Sequence, residues 1–360
     1  MTDFAAIRSA FAVARTGLQP ARPRDIAHHL GLSEAALLAA HVGDGDWPDS
    51  PLHATRLAAP WPTLVHGLPA LGALTVRTRN AACVHQKASH YPQVSASQDI
   101  GLATGDAIDL RLIYGAWAHG FAVHEHTVLG LQRSLQWFDA TGQAIHKVFL
   151  HETSDTAAFR ALAARHAHPD QTPAPLTPRA GPPHLASAPP GAAARAALRG
   201  DWAALRDTQG FRPMLQRHRL DRLTALHAAG DDYARELEPG SAHELLHRAA
   251  QDGTPLRVCT GNGGVVQIHT GPVQHVAVAG PWVNVLDGGF NLHLLETHIA
   301  SAWRVRKPTA DGLVSSLELF DAGGDVIAQF LGARKPGQPE RATWRELLAS
   351  VAGEALPCAA

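Results

Sequence analysis

A chain of 360 residues with 45% hydrophobic and 18% charged side chains can bury a substantial core, which excludes a disordered chain and points to two domains or one duplicated architecture. Lysine plus arginine (31) nearly balances aspartate plus glutamate (32), so a net charge of −1 gives no global attraction to nucleic acid or to an anionic membrane.

In the first stretch, MTDFAAIRSAFAVART, Asp3, Arg8 and Arg15 interrupt the apolar residues, so no signal-peptide core is read there. No later segment approaches 18 uninterrupted apolar residues, and a cytoplasmic location without membrane insertion is the default expectation. Residues 23–43 read as two short helices, the first capped by Asp25 and the second by Ser33, with Gly31 as the break. The pattern is like a helix-turn-helix, but the second helix offers Glu34 and His41 and no Arg, Lys, Asn or Gln to read bases. A helical pair packed on a sheet is the preferred reading, and no nucleic-acid partner is expected.

From about residue 73 the period changes to two: LTVRT, ACVHQK, IDLRLIY, GFAVHEH, RSLQWFD and QAIHKVFL read as an antiparallel meander, with Asp139 to Gly142 as a turn. Residues 166–197 are so rich in proline and alanine that they read as a linker without a packed element. The stretch Asp201 to Arg222 follows. Pro213 suits the first turn of a helix on which Leu215, His218 and Arg222 would share a face. Helical sequence continues to about Ala250, with a capping box in Ser241 to Glu244, and strands then resume.

The later strands repeat the earlier ones at a constant offset of 182 residues: Asn80 falls on Asn262, Val84 on Val266, Leu110 on Leu292, Phe121 on Trp303, Ser134-Leu135 on Ser316-Leu317 and Phe138-Asp139 on Phe320-Asp321. This ungapped register is an internal duplication. It predicts an α+β fold of two large antiparallel sheets, each flanked by helices, with repeats over 1–165 and 198–360 joined by the linker. The copies diverge at charged positions, Arg111 against His293 and Glu125 against Lys307, and also at Leu150 against Gly332. Divergent polar positions on a shared scaffold are where function is expected.

Read from their surroundings alone, the cations are ambiguous. Arg111 shares a strand face with Asp109, opposite Ile108, Leu110 and Leu112, and suits an exposed ion pair. Lys307 precedes Pro308, an edge or strand-end position, and reads as a solvated lysine, and Arg334 closes a strand and could equally be a surface charge. Arg222 suits either a ligand-facing or a salt-bridged position. Guanidinium groups match a planar dianion, so the set suits such a ligand collectively. His119, His124 and His126 invite a zinc reading, but no third ligand of fixed spacing follows and the second copy has Arg306 and Pro308 there, so a polar sheet face is preferred. The three cysteines, Cys83, Cys259 and Cys358, lack metal-ligand spacing, and there is no glycine-rich phosphate loop or Ser/His/Asp arrangement.

The stretches RDIAHHLGLSEAALLA, IDLRLIYGAW, SLQWFDATGQAIHKV, LQRHRLDR, NGGVVQIHTGPV, GPWVNVLDGGFNLHL, WRVRKPTADGLVSSLELFD and GARKPG resemble, in order and over nearly the whole chain, the haemin-degrading, haem-utilisation proteins of the HemS/ChuS/HmuS type. The resemblance implies two similar halves, one haem held in a cleft between helix and sheet, and oxidative opening of the porphyrin with release of iron, using an external electron donor. It further implies delivery of haem from an ABC importer, and a monomer or homodimer.

Carried over, the family's proximal histidine falls on Gln209, its distal arginine on Arg111, where it would orient water or dioxygen, its propionate and distal cations on Arg222, Lys307 and Arg334, and its distal tyrosine on Leu331. A glutamine oxygen is a weak iron ligand. His218 is the candidate substitute, and three readings stay open: a haem-degrading enzyme, a haem carrier or store that does not cleave its cargo, and a regulatory or scaffold member without haem.

Overall fold

Alternating side chains become strands, which pack around separate hydrophobic cores. The computed structural model describes all residues except 1–2, 17–20, 44–49, 98, 106, 180–185, 336 and 355–360, so Cys358 lies outside the described residues. The first half contains α1 (Phe4–Ala14), α2 (Pro23–His29), α3 (Glu34–Ala40), β1 (Leu52–Leu57), α4 (Trp61–Val65), β2 (Ala73–Arg79), β3 (Cys83–His90), β4 (Val94–Ala96), β5 (Ile100–Thr104), β6 (Asp109–Ile113), β7 (His119–Thr127), β8 (Gly130–Phe138), β9 (Ala144–Leu150) and α5 (Thr156–Arg165). The second contains α6 (Ala192–Ala203), α7 (Phe211–His218), α8 (Arg222–Ala229), β10 (Ala234–Leu237), α9 (Ser241–Asp252), β11 (Leu256–Gly261), β12 (Val265–Gly271), β13 (Val276–Ala279), β14 (Trp282–Asp287), β15 (Phe290–Leu295), β16 (Ser301–Thr309), β17 (Gly312–Phe320), β18 (Val326–Gly332) and α10 (Ala342–Val351). Two compact units result, one of residues 1–79, 86–183 and 262–267, the other of 80–85, 184–261 and 268–360.

In the first unit the antiparallel order is β1-β7-β8-β9-β2, with a separate β4-β5-β6 meander. One core holds Trp61, Val76, Leu110, Leu112, Trp117 and Trp137; another holds Phe11, Ile26, Leu37, Phe121 and Phe138. The second unit repeats the arrangement as β10-β16-β17-β18-β11 with the meander β13-β14-β15. Its α9 and α10 pack on one face through Leu245, Leu317 and Trp344. Its α6, α7 and α8 pack on the other through Trp202, Phe211, Met214, Leu226, Trp303 and Phe320. Adjacent strand residues point to opposite faces, so Trp303, Val305 and Lys307 of β16 look toward α7 and α8.

The duplication extends to single hydrogen bonds. In the first unit, Asn262 Nδ2 donates to the carbonyls of Arg79 and Ile145, both at 2.9 Å, and its Oδ1 accepts from the amides of Gly264 and Val265. In the second, Asn80 Nδ2 donates to Gly261 (3.1 Å) and Ile327 (2.7 Å), and its Oδ1 accepts from Ala82 and Cys83. Every partner is displaced by the same offset. The two turns also match: Asp139 Oδ1 accepts from the Thr141 and Gln143 amides, and Asp321 Oδ1 from those of Gly323 and Asp325.

Several local expectations are corrected. Asp25 does not cap α2, because Pro23 starts the helix earlier and places Asp25 within the first turn. Ser33 does cap α3, accepting from Ala36 N at 3.2 Å, and every residue of α3 but Ala36 is buried, so that helix is not a reading head. Ser241 and Glu244 form no capping box: Gly240 is the cap, Ser241 is buried, and Glu244 pairs with Arg248 at 2.6 Å. Leu215, His218 and Arg222 do not lie on one helix. Arg219 adopts a left-handed conformation (φ 53°) that ends α7, and Asp221 opens α8 by accepting from Thr224 N at 2.9 Å. Finally, α6 begins at Ala192, within the stretch read as linker; its alanine run follows Pro190-Gly191 and has high helix propensity.

Candidate functional site

The turn before α7 is set by Asp207, whose Oδ1 accepts from Gly210 N at 2.7 Å. This turn leaves the Gln209 side chain exposed and turns Phe211 inward, where it is 3% exposed. Two cations lie over the Phe211 ring: Arg222 from the first turn of α8, 5.0 Å from the centroid, and Lys307 Nζ from β16, at 4.5 Å.

Both cations meet on a carboxylate that sequence reading did not single out. Glu318 of β17 is fully buried. Its Oε2 accepts from Arg222 Nε at 2.6 Å, and its Oε1 accepts from Arg222 Nη2 (2.7 Å), Lys307 Nζ (2.8 Å) and Ser316 Oγ (2.9 Å). Burial alone would push the Glu318 carboxyl up, but Arg222 and then Lys307 outweigh it and hold it well below the usual range. Burial lowers the Lys307 ammonium, against the pull of Glu318. Two cations against one carboxylate leave one positive charge in surplus. Arg222, at 25% side-chain exposure, carries that surplus toward solvent.

Lys307 is therefore not a solvated strand end. It is 6% exposed, with Nζ held by Glu318 and lying over the Phe211 ring. Pro308 is not the strand end, since β16 continues to Thr309, but it does lie where β16 is paired by β17 alone, beyond the reach of β10. Leu331 lies on β18 in register with Ser316, half-buried, and presents an aliphatic side chain beside the cluster. Arg334 is outside it: its Nη1 pairs with Asp311 Oδ2 at 3.3 Å and donates to the Gln338 carbonyl at 2.9 Å. His218 closes α7 with its Nε2 held by Asp201 Oδ2 at 2.9 Å. That bond, followed by Arg217, keeps the Asp201 carboxyl low. Arg111 belongs to the first unit, where it pairs with Asp109 at 2.6 Å on the half-buried face of β6.

The sequence did carry a signal for Glu318. At the repeat offset it falls on Gln136, which is buried and donates to Ser134 Oγ as Glu318 accepts from Ser316. A buried charge in one copy against an amide in the other is the same kind of divergence that drew attention to Lys307. Of the histidines weighed for zinc, His124 and His126 share the β7 face, and no metal-ligating group of three converges among the described residues.

A family model described as the haemin-degrading HemS.ChuX domain matches twice, over residues 31–166 and 219–351. Among curated proteins, the chain is 38% identical over 327 residues to the hemin transport protein HmuS of Yersinia pestis, covering 91% of each. It is 36% identical, with the same coverage, to the hemin transport protein HemS of Yersinia enterocolitica. Among solved structures, holo-PhuS, a heme-binding protein from Pseudomonas aeruginosa, superposes with a TM-score of 0.89 at 42% identity, covering 97% of this chain and 99% of that one. The Escherichia coli O157:H7 heme-degrading enzyme ChuS gives a TM-score of 0.87 at 33% identity, covering 97% and 99%.

Proposed function

This chain belongs to the haemin-degrading HemS.ChuX family, and we propose that it binds haem on the α7–α8 face of the second unit as a carrier in haem utilisation. The observation that carries this reading is the Arg222–Lys307–Glu318 cluster under the Phe211 ring. It offers fixed guanidinium and ammonium groups with one unneutralised charge, the chemistry that a haem propionate needs.

The same residues fit the iron poorly. Gln209 presents a carboxamide, whose oxygen donates weakly and whose nitrogen does not donate. His218 lies nine residues on, about 13 Å along a helix axis, and its accessible Nε2 is already held by Asp201. Leu331 supplies no hydroxyl. Haem would bring the iron and the redox-active ring; the chain's contribution is to hold the carboxylates and leave the metal loosely ligated, which suits transfer to another protein.

Oxidative degradation with an external electron donor is the second reading, favoured by the likeness to ChuS, described as a heme-degrading enzyme. A cytoplasmic site of action, loading from an importer, and Arg111 acting on the bound haem belong to the same proposal. Haem titration followed by absorbance, then ascorbate addition, tests it. Saturable binding with a Soret band that survives ascorbate supports carriage; bleaching to a bilin spectrum replaces it with degradation. Absence of saturable binding removes both and leaves the regulatory reading.

A further inference from the structure

The hairpin between β7 and β8 has a tip that the haem reading leaves unused. In its turn, Thr127 Oγ1 accepts from Leu129 N (3.1 Å) and donates to the Gly130 carbonyl (2.9 Å), and Gly130 takes φ 105°. Val128 is 80% exposed and Leu129 97%, with Leu131 behind them at 39%. The equivalent β16–β17 turn has the same wiring around Thr309 and Gly312 (φ 108°), yet carries Ala310 and Asp311 at the tip. The backbone therefore does not require apolar residues there. Turn chemistry favours the aspartate, and two solvated aliphatic side chains at one point need another cause.

The face leading to the tip is basic. On β7, His124 registers with His53 of β1 and with Arg133 of β8, while His126 registers with Leu131. Arg160 of α5 joins this face, where the neighbouring Phe159 ring meets His124. Burial lowers the His124 imidazole first. The charged groups that act on it next, Arg133, His53, His126 and Arg160, are all basic and lower it further. In the second unit the matching positions, Arg235 and Arg306, are bridged by Glu354, at 3.6 and 2.8 Å. The first copy thus combines an exposed apolar tip with basic residues beside it, whereas in the second the tip carries Asp311 and the arginines Arg235, Arg304 and Arg306 share Glu354.

We propose that the β7–β8 hairpin docks this protein on anionic phospholipid bilayers, with Val128 and Leu129 entering the interface and Arg133 and Arg160 lying against the headgroups. The narrow convex tip suits the headgroup boundary, and dispersed cations suit a diffuse negative surface rather than one fixed acidic partner. The attachment is interfacial; among the described residues no helix is long and apolar enough to cross a membrane.

Cosedimentation of the full chain with vesicles tests it, comparing phosphatidylcholine alone with an equal mixture of phosphatidylcholine and phosphatidylglycerol. The double variant Val128→Ala with Leu129→Asp copies the second hairpin's tip, and because both side chains are exposed its unfolding midpoint should match the parent's. The expected result is at least tenfold stronger binding to the anionic vesicles, weakened by high salt, and at least a fivefold loss in the variant. Absence of binding to anionic vesicles, binding undiminished in the variant, or equal binding to both vesicle types would overturn the proposal. The first outcome would leave the tip as a protein-docking element instead.

Discussion

Arg222 grips Glu318 through both Nε and Nη2, at 2.6 and 2.7 Å, so the first residue of α8 is fastened to the interior of β17 by a two-point ion pair. The pair fixes the angle at which α8 meets the sheet. Lys307 completes the cluster from the neighbouring strand, and the Phe211 ring lies against both cations. On the proposed reading, stability and haem recognition draw on the same three charges.

Glu318→Gln should be strongly destabilising, by about 3–5 kcal/mol, because it leaves Lys307 and Arg222 without a counter-charge in a buried position. The sign of the pH effect follows from the depressed carboxyl. Its stabilisation is fully present above its ordinary value of 4.5 and is lost as pH falls below that, toward the folded value. Urea unfolding at several pH values checks both points: the variant should start lower and lose the part of the acid dependence that Glu318 supplies.

Lys307→Met removes the surplus charge while leaving the Arg222–Glu318 pair intact. On the proposed reading haem affinity should fall about tenfold, because a neutral cluster no longer lets Arg222 attract a propionate. Arg334→Gln should change affinity much less, since Arg334 is engaged by Asp311 and the Gln338 carbonyl. Fluorescence quenching on haem addition reads both.

Acid should also weaken the first unit through two buried imidazoles. Burial pushes His146 down to about 3 and His41 to about 4, so the unfolded chain takes up protons below about 6.5 that the folded one refuses. Stability is full above that pH and falls as pH drops through it. Between pH 7 and 5 each histidine should cost about 2 kcal/mol. His146→Met, among the Trp117 and Trp137 rings, should flatten roughly half of this slope in urea unfolding.

Gly332→Ala should destabilise by about 1–3 kcal/mol, as overpacking does. A Cβ there would stand 2.5 Å from Cγ of Trp344, which is fully buried and donates to the Ser315 carbonyl. The thermal midpoint reads the loss. In the first copy Leu150 stands at the equivalent position.

The sheets were legible because period-two alternation and a constant repeat offset are local signals. That is why the strands after residue 73, the Asp139 and Asp321 turns and the paired Asn80 and Asn262 are where the sequence puts them. What escaped was decided by contacts distant in sequence. Lys307 beside a proline looks like a solvated strand end until the Phe211 ring and the Glu318 carboxylate, both distant in sequence, enclose its ammonium group. Arg222 was read onto the α7 helix because spacing alone does not reveal the left-handed Arg219. Glu318 was passed over because an isolated glutamate in a strand is ordinarily solvated, and only the partners Arg222, Lys307 and Ser316 make its burial tolerable. The family resemblance drew attention to Arg222 and Lys307; the ion pairs that join them through Glu318 came from the fold.

The most direct test of a haem site whose axial ligand is missing is an absorbance titration of haem into Gln209→His beside the parent and His218→Ala. Restoring an imidazole at the exposed turn before α7 should tighten binding about tenfold or more and shift the Soret band toward a nitrogen-ligated form, while His218→Ala leaves both as in the parent. Unchanged affinity and spectrum in Gln209→His, with binding abolished in His218→Ala, would contradict the account and place the ligand on the far end of α7.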